Sequence, residues 1–481
     1  MSNLAKESAM NRINALLDEN SFVEIGGLVT ARSTDFNMQD KVAASDGVIT
    51  GYGVIDNSLV YVYSQDASIL GGTVGEMHAK KISRLYDMAV KMGAPVVALV
   101  DCAGLRLEEA ADALNAFGEV YAKQAAASGV VPQITAVFGT CGGGMGVMAS
   151  LSDFTFMAED GKLFVSAPNT LDGNRAEKCD TASAAYQAEV SGMADYTGTE
   201  DEVLAGIRQL VSVLPMNNDD FAEEQCADDL NRVCENLADC VGDTEIALEN
   251  LADAGTFFEI KKAYAKNMVT GFMKLNGITV GAVANRATVY DEEGKAEELG
   301  TALTAEGCEK AADFVNFCDA FNIPVLTLTN ASGFAATVDN EKRIAKAAAK
   351  LTYAYAEATV PKVNVVVGQA MGNAYNVMNS KACNADIVYA WPDAKIGTMD
   401  SDAAVRIIYA EEIKKAEDSV AFINEKKAEY ETLQVSAASA AKRGYVDSII
   451  APEDTRKYVI GAFEMLYTKK EERPAKKHGT V

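Results

Sequence analysis

The sequence predicts an α/β protein made of two similar fused halves, each a mostly parallel sheet covered by helices. Two observations carry that expectation: a long-period internal repeat, and continuous apolar runs of strand length that alternate with helical patterns. APVVALVDCAG (94–104) resembles IPVLTLTNASG (323–333), and ASGVVPQITAVFG (127–139) resembles AEATVPKVNVVVG (356–368). Pro95 and Pro324, Gly104 and Gly333, Pro132 and Pro361, and Gly139 and Gly368 all keep a separation of 229 residues. Upstream, VITGYGVIDNSLV (48–60) matches MVTGFMKLNGITV (268–280) at 220 residues, so the second half gains about nine residues, expected in the polar stretch 291–300.

Each half reads in order as a β-hairpin, a helix, a buried strand, a turn, a helix, a second buried strand and a glycine-containing helix start. KKISRLYDMAVKMG (80–93) sets Ile82, Leu85, Met88, Ala89 and Met92 on one helical face and ends at Gly93 before Pro95. VVALV (96–100) and QITAVFG (133–139) are unbroken apolar runs, as strands covered on both faces require. Strand–helix–strand units in series imply parallel pairing with right-handed crossovers. The expected division is a first domain over 1–220, a polar linker over 221–255 and a second domain over 256–481. Near the end, Ile413, Ala416, Val420, Ile423 and Tyr430 are expected on one side of a long amphipathic packing helix.

Composition narrows the function classes. With 49% hydrophobic and 23% charged residues, the 481-residue chain can bury more than one core. A formal net charge of −26 argues against nucleic acid as a partner. Apolar runs stop short of a bilayer span, the start has no secretory pattern, and cytoplasmic residence is the default expectation. Nine scattered cysteines without a C-x-x-C pair suit reduced thiols rather than a zinc ribbon. Two histidines, His78 and His478, exclude a three-histidine metal site, and no metal is expected.

The sharpest local feature is Thr140-Cys141-Gly142-Gly143-Gly144-Met145-Gly146, placed after a strand and before a helical run. Glycines there let a ligand approach the backbone, and the first N–H groups of a helix have no intrahelical acceptor, so the turn can hold an oxyanion. A tight turn alone would use the same glycines. The repeat places an equivalent turn at Met371-Gly372-Asn373-Ala374-Tyr375, which suggests two oxyanions, one on each reacting partner; a vestigial second turn would give the same pattern.

The segments SQDASILGGTVGEMHAKKI (64–82), DCAGLRLEE (101–109), GVVPQITAVFGTCGGGMGVMASLSDFTFM (129–157), AYNVMNSK (374–381), YAWPDAKIGTM (389–399) and AAKRGYVDSIIAP (440–452) resemble the carboxyltransferase subunits of biotin-dependent acyl-CoA carboxylases and decarboxylases. The resemblance runs in order from about Ser21 to Arg456. It implies two fused crotonase-like (ClpP/crotonase) domains and a homo-oligomer, typically a hexamer built as a trimer of dimers. The amino domain of one subunit would face the carboxy domain of another across the active site. It also implies carboxyl transfer between biotin on a separate carrier protein and the α-carbon of a coenzyme A thioester, through a thioester enolate and a ureido oxyanion.

Carried over by position, Gly143 and Gly144 match the family's pair that holds the thioester oxygen. Asn373 and Ala374 match the Gly-Ala pair whose N–H groups hold the biotin carbonyl, with Gly372 at the head of that turn. Asn373 replaces a family glycine and is expected to put a side chain into a crowded turn. Asn330-Ala331-Ser332-Gly333-Phe334 stands where the family has Asp-x-Pro-Gly-Phe, and Asp400-Ser401-Asp402 replaces a glycine-containing segment. Lys80, Lys81, Arg84 and above all Arg106 are the candidate cations for coenzyme A, and Asn376 stands where the family sorts acyl chains. His78 is expected to order the helix start or the pocket wall.

A biotin carboxylase or a membrane decarboxylase subunit is the implied further partner, which would set the enzyme at the membrane periphery in the second case. The acyl group is methylmalonyl or propionyl, or else malonyl or acetyl, with a slight preference for the decarboxylating direction. A biotin-independent crotonase-type hydratase or hydrolase, and a non-catalytic scaffold subunit, stay open as alternatives.

Overall fold

A computed structural model of the chain describes residues 2–32, 36, 38, 43, 45–220, 226, 228–290 and 294–474. It forms two compact units, residues 1–222 and 223–481. The first holds β1 (Val23–Glu24), β2 (Val48–Ile55), β3 (Ser58–Gln65), β4 (Val96–Cys102), β5 (Gln133–Gly142), β6 (Phe154–Ala158), β7 (Lys162–Phe164) and β8 (Tyr196–Gly198). They run β1-β2-β3-β4-β5-β6-β8 in one sheet, with β7 also on β5. The β1–β2 and β2–β3 pairs are antiparallel and every later pair is parallel.

The second unit repeats this plan. Its strands are β9 (Phe258–Ile260), β10 (Met268–Leu275), β11 (Ile278–Asn285), β12 (Thr288–Tyr290), β13 (Ala296–Glu298), β14 (Ala302–Leu303), β15 (Val325–Ala331), β16 (Gly333–Phe334), β17 (Lys362–Met371), β18 (Ile387–Ala390), β19 (Lys395–Gly397) and β20 (Ser448–Ile449). The main sheet runs β9-β10-β11-β15-β17-β18-β20, with β19 on β17, so it has the same order and directions as the first. Beside it, β12 and β13 form a small hairpin around the residues where the repeat spacing changes; 291–293 lie outside the described residues.

The duplication holds down to register. Val96 pairs with Gln133 and Val325 with Lys362; the ladder slips between Val100 and Cys102 and again between Thr329 and Ala331. At each slip a side-chain oxygen fills the gap: Asp101 Oδ1 accepts from the Thr140 N–H at 3.1 Å, and Asn330 Oδ1 from the Gln369 N–H at 2.9 Å. A Cβ on Gly139 would fall 2.1 Å from Asp101 Oδ1, and one on Gly368 2.4 Å from Asn330 Oδ1, so only glycine leaves room for this brace. Asn330 therefore keeps the acceptor that a carboxylate supplies in the first unit.

Two expectations fail here. The compact units divide at 222/223, and Cys234, Leu237, Ala247, Leu248 and Leu251 are buried in the second unit's core. Arg456, fully buried, pairs with Asp253 and donates to the Leu251 carbonyl. Most of the stretch read as a linker is thus part of the second unit, because its apolar residues recur at helical spacing over Thr244–Leu251 despite its many acids; residues 221–225 and 227 lie outside the described residues. The long helix through 413–430 is instead two, Ala410–Lys415 and Ser419–Tyr430. Asp418 starts the second by accepting from the Val420 and Ala421 N–H groups, and of the five residues named above only Ile423 is buried.

Among the described residues no helix is long and apolar enough to cross a membrane. The single tryptophan, Trp391, is buried in the second unit, where its indole N–H donates to Thr455 Oγ1 at 3.0 Å, so its fluorescence reports that unit alone. Asn330→Ala should lower the urea midpoint read by Trp391 by the equivalent of about 1–2 kcal/mol, whereas Asn330→Asp should lose less at neutral pH because it keeps the acceptor. Equal midpoints for Asn330→Ala and the parent chain would show that the brace contributes nothing.

Candidate functional site

Both glycine turns follow the carboxyl end of the long central strand of their sheet, the position where open parallel sheets leave room for ligands. In the first, Gly143 has φ +61° and ψ −123°, a conformation that needs glycine. Its N–H is already used, donating to the Phe164 carbonyl of β7 at 2.9 Å. The helix Gly144–Ser150 begins directly after it, so the Gly144 N–H is the first with no intrahelical acceptor. A Cβ on Gly144 would lie 2.8 Å from the Tyr121 hydroxyl and 3.0 Å from the Phe117 ring. The two glycines thus divide the work: Gly143 turns the chain, and Gly144 is the donor packed too tightly for a side chain. The resemblance assigns the thioester oxygen to Gly143 and Gly144 together; of the two, the Gly143 N–H is held by the Phe164 carbonyl.

Tyr121 is a participant that sequence reasoning missed. Its hydroxyl donates to the Gly144 carbonyl at 2.8 Å and pins the first peptide of the helix from behind. Helical spacing on Ala110–Ala127 could have pointed that tyrosine toward the turn, but nothing in the sequence says which carbonyl it meets.

In the second unit Gly372 has φ +60° and opens the helix Gly372–Val377, matching Gly143 in φ. The positive φ falls on Gly372 and not on Asn373, so the asparagine occupies ordinary helical space. Its side chain is exposed rather than crowded, with Asn376 Nδ2 at 3.4 Å from its Oδ1, while Ala374 is buried. The expected obstruction is absent because the backbone turns one residue earlier.

This turn opens on a cavity of about 540 Å³ within the second unit, lined by Gly372, Asn373 and Asn376. Tyr375, Tyr430 and Tyr445 supply aromatic wall, and Thr398, Gln434 and Arg443 polar atoms. Gly333, with φ +142°, sits in β16 opposite Ala302 and is not part of this lining.

The proposed coenzyme A cations fare differently. Arg106 is fully buried: its guanidinium pairs with Asp46, reaches Glu109 Oε1 at 2.8 Å, and donates to the Thr73 carbonyl at 2.6 Å. Glu109 in turn accepts from the Glu76 N–H at 2.7 Å and so caps the helix Glu76–Met92. A cation held this way is spent on internal partners, since removing one member would strand a buried charge at a cost of about 3–5 kcal/mol. Lys81 is also buried and donates to the Ser45 and Val48 carbonyls; Lys310, its repeat equivalent, donates to the Lys261 and Tyr264 carbonyls. The same lysine does the same structural task in both units. Lys80 is exposed and paired with Glu76 at 2.6 Å, and Arg84 is exposed on the same helix.

His78 belongs to this buried network. Its Nδ1 donates to the Asp46 carbonyl at 2.9 Å, its backbone N–H to the Asp46 carboxylate at 2.7 Å, and its Nε2 meets Gln65 Nε2 at 3.1 Å. With Nδ1 as donor, Nε2 is the acceptor and the ring is neutral. Burial, reinforced by the Arg106 charge, pushes its pKa down to about 3, so the ring stays neutral near neutral pH and orders the helix start through its Nδ1–H. Among the described residues no cluster of His, Cys, Asp and Glu is placed to hold a metal.

Two repeated α/β units, each ending its central strand in a positive-φ glycine turn, define a crotonase-like architecture. The carboxyl transferase domain matches residues 3–481, and the chain belongs to that family. It is 40% identical to methylmalonyl-CoA decarboxylase subunit alpha of Propionigenium modestum over 99% of this chain and 93% of that protein. It is 41% identical to the propionyl-CoA carboxylase beta chain of Roseobacter denitrificans over 99% and 94%. The transcarboxylase 12S crystal structure, described as a hexamer with hydrolyzed methylmalonyl-coenzyme A bound, superposes with a TM-score of 0.91 at 35% identity, covering 99% of this chain and 94% of that one.

The depressed pKa of His78 has a measurable consequence. The unfolded chain takes up the proton near pH 6.5 and the folded one only near 3, so this contribution to stability is complete above pH 6.5 and falls as pH drops toward 3. Between pH 7 and pH 5 the loss should be about 2 kcal/mol, read by hydrogen exchange of β3 and the helix Glu76–Met92. His78→Asn, which keeps a donor toward Asp46, should flatten that dependence; an unchanged slope would mean the ring is protonated in the folded state.

Proposed function

We propose that this chain transfers a carboxyl group between biotin on a separate carrier protein and the α-carbon of a short-chain acyl-CoA. The observation that carries the reading is the repeated turn. One chain presents two strand-to-helix turns, each opened by a glycine with φ near +60°, and a transfer that moves CO₂ between a thioester and a ureido ring develops one oxyanion on each partner. The family it belongs to, and the names of its relatives, support the same reaction class and disfavour a hydratase or a bystander scaffold.

In this reading the Gly144 N–H meets the thioester oxygen, with Gly143 providing the turn and Tyr121 holding the peptide behind it. A positioned donor stabilises the enolate-like charge more than the ground-state carbonyl, worth about 3–4 kcal/mol per donor when it is removed. The Asn373 and Ala374 N–H groups take the ureido carbonyl. The cavity beside them fits that ring: it combines backbone donors for a carbonyl with tyrosine faces for an apolar bicycle. When bound, biotin supplies the ureido nitrogen that carries the carboxyl. Asn376, which lines the cavity, stands where the resemblance puts the sorting of acyl chains.

The relatives' names favour the methylmalonyl/propionyl pair over malonyl/acetyl, and a decarboxylase relative keeps a membrane complex in view as the working partner, with biotin carboxylase as the alternative. The hexamer described for transcarboxylase 12S supports a hexameric assembly of this chain. Lys80 and Arg84 remain as exposed cations for coenzyme A, in place of Arg106 and Lys81.

Purified protein incubated with biotin and carboxyl-labelled methylmalonyl-CoA should move label to biotin, faster than with malonyl-CoA. Hydration of a crotonyl thioester without label transfer would replace this reading with the hydratase. Gly143→Val forces a β-branched residue to φ +61° and should reduce transfer by at least 100-fold while the Trp391 emission of the second unit stays unchanged. Unchanged turnover in Gly143→Val would reject the first turn as the thioester site.

A further inference from the structure

Arg443 stands out on the cavity wall for what does not balance it. In a chain with 69 acids and 43 lysines and arginines, most described surface cations have a carboxylate within reach. Arg343 has Glu306 and Glu309, Arg406 has Asp402, and Lys395 has Glu431. Arg443 has none among the described residues. Its guanidinium donates only to neutral acceptors: Ser439 Oγ at 2.5 Å, the Leu433 carbonyl at 2.9 Å and Gln434 Oε1 at 3.0 Å.

Those bonds fix it in place without cancelling its charge. Leu433 and Gln434 lie in a π-helical turn, Glu431–Val435, a rare geometry that recurs at functional sites. Glu431, the acid of that turn, is turned to Ser401 Oγ at 2.6 Å and Lys395, and among the described residues no Asp or Glu lines the cavity. The result is a chamber with one fixed positive charge, no negative one, and the Gly372 turn on its wall.

We infer that Arg443 is an anion-recognising residue of this cavity, and that it makes the second-unit site prefer the carboxylated, anionic form of the ureido ring over the neutral ring. The inference rests on the carboxyltransferase reading and adds to it a residue for the carboxylate itself, which the two backbone turns leave without a partner. A planar fork of donors suits a carboxylate, and a charge-assisted bond in a partly enclosed chamber is stronger than a neutral one. Selecting the loaded ring would keep the site from being filled by the ring that has already delivered its group, and in the reverse direction would hold the carboxyl as it arrives.

The test measures equilibrium binding of free biotin and of free N1-carboxybiotin to the full-length protein, apart from turnover. Gln434→Glu is the sharpest variant: it preserves the hydrogen bond to Arg443 and its shape but places a carboxylate against the guanidinium. It should weaken N1-carboxybiotin at least 10-fold and biotin less than 3-fold, and Arg443→Gln should do the same, with Arg443→Lys intermediate. If Arg443→Gln fails to fold, Gln434→Glu decides alone.

Equal losses for both forms of the ring would show that Arg443 only shapes the wall, and unchanged binding of both would show that it does not face the ligand; either overturns the inference. So would a loss confined to acyl-CoA binding, which would assign the charge to coenzyme A phosphates instead. Wild-type protein that binds the anionic ring preferentially but moves no label would sink the transferase reading and leave this one standing; label transfer with no preference would do the reverse.

Discussion

The two sites depend on one small interaction made twice. Where the central parallel ladder slips, a side-chain oxygen from the neighbouring strand captures the backbone N–H that the slip has freed: Asp101 for Thr140, Asn330 for Gln369. A freed amide inside a sheet would otherwise cost the desolvation of a buried donor. With that amide satisfied, the strand can leave its regular path and run three residues later into a positive-φ glycine, Gly143 or Gly372, from which a short helix starts. The brace, the slip and the turn form one unit, and a glycine at 139 or 368 is the condition for the brace to fit.

Around that shared device the units have diverged in ways that match different tasks. The first unit backs its turn with a buried ionic network, Asp46, Arg106 and Glu109, which also caps the helix that carries His78. The second unit holds a buried ionic network of different residues, Arg286 with Glu259 and Asp243, and leaves the cap of the equivalent helix to a neutral group: Asn340 Oδ1 accepts from the Ala305 N–H at 2.8 Å. Its cavity wall carries other polar groups, Asn373, Asn376, Thr398, Gln434 and Arg443. The exposed Asn373 fits its turn because the positive φ falls on Gly372 and the residue after it is in ordinary helical space.

The cations show why chemical type is a poor guide to role. Arg106 and Lys81 sit in segments typical of the family and looked, by charge and place, like ligands for a polyphosphate. Both are internal, and the repeat explains Lys81, since Lys310 makes the same kind of carbonyl contacts in a unit where the resemblance assigns no coenzyme A. Arg443 lay inside a quoted motif, AAKRGYVDSIIAP, yet its significance depends on a missing carboxylate, which no linear pattern displays.

The sequence by itself determined the class and its duplication: strand-length apolar runs, a constant 229-residue spacing and glycines at matching strand ends are one-dimensional features that survive without coordinates. It also determined the pair of turns, because only glycine tolerates the backbone they need. The tertiary structure decided everything that depends on which groups meet across the chain. It showed that Gly143's amide is consumed by Phe164, that Arg106 is neutralised from within, that the acidic stretch before 255 belongs to the second core, and that a cavity carries one unbalanced charge. A partner such as Asp46 for Arg106, 60 residues away, leaves no periodic trace, and whether a polar group is available for chemistry is settled by its partners rather than by its own identity.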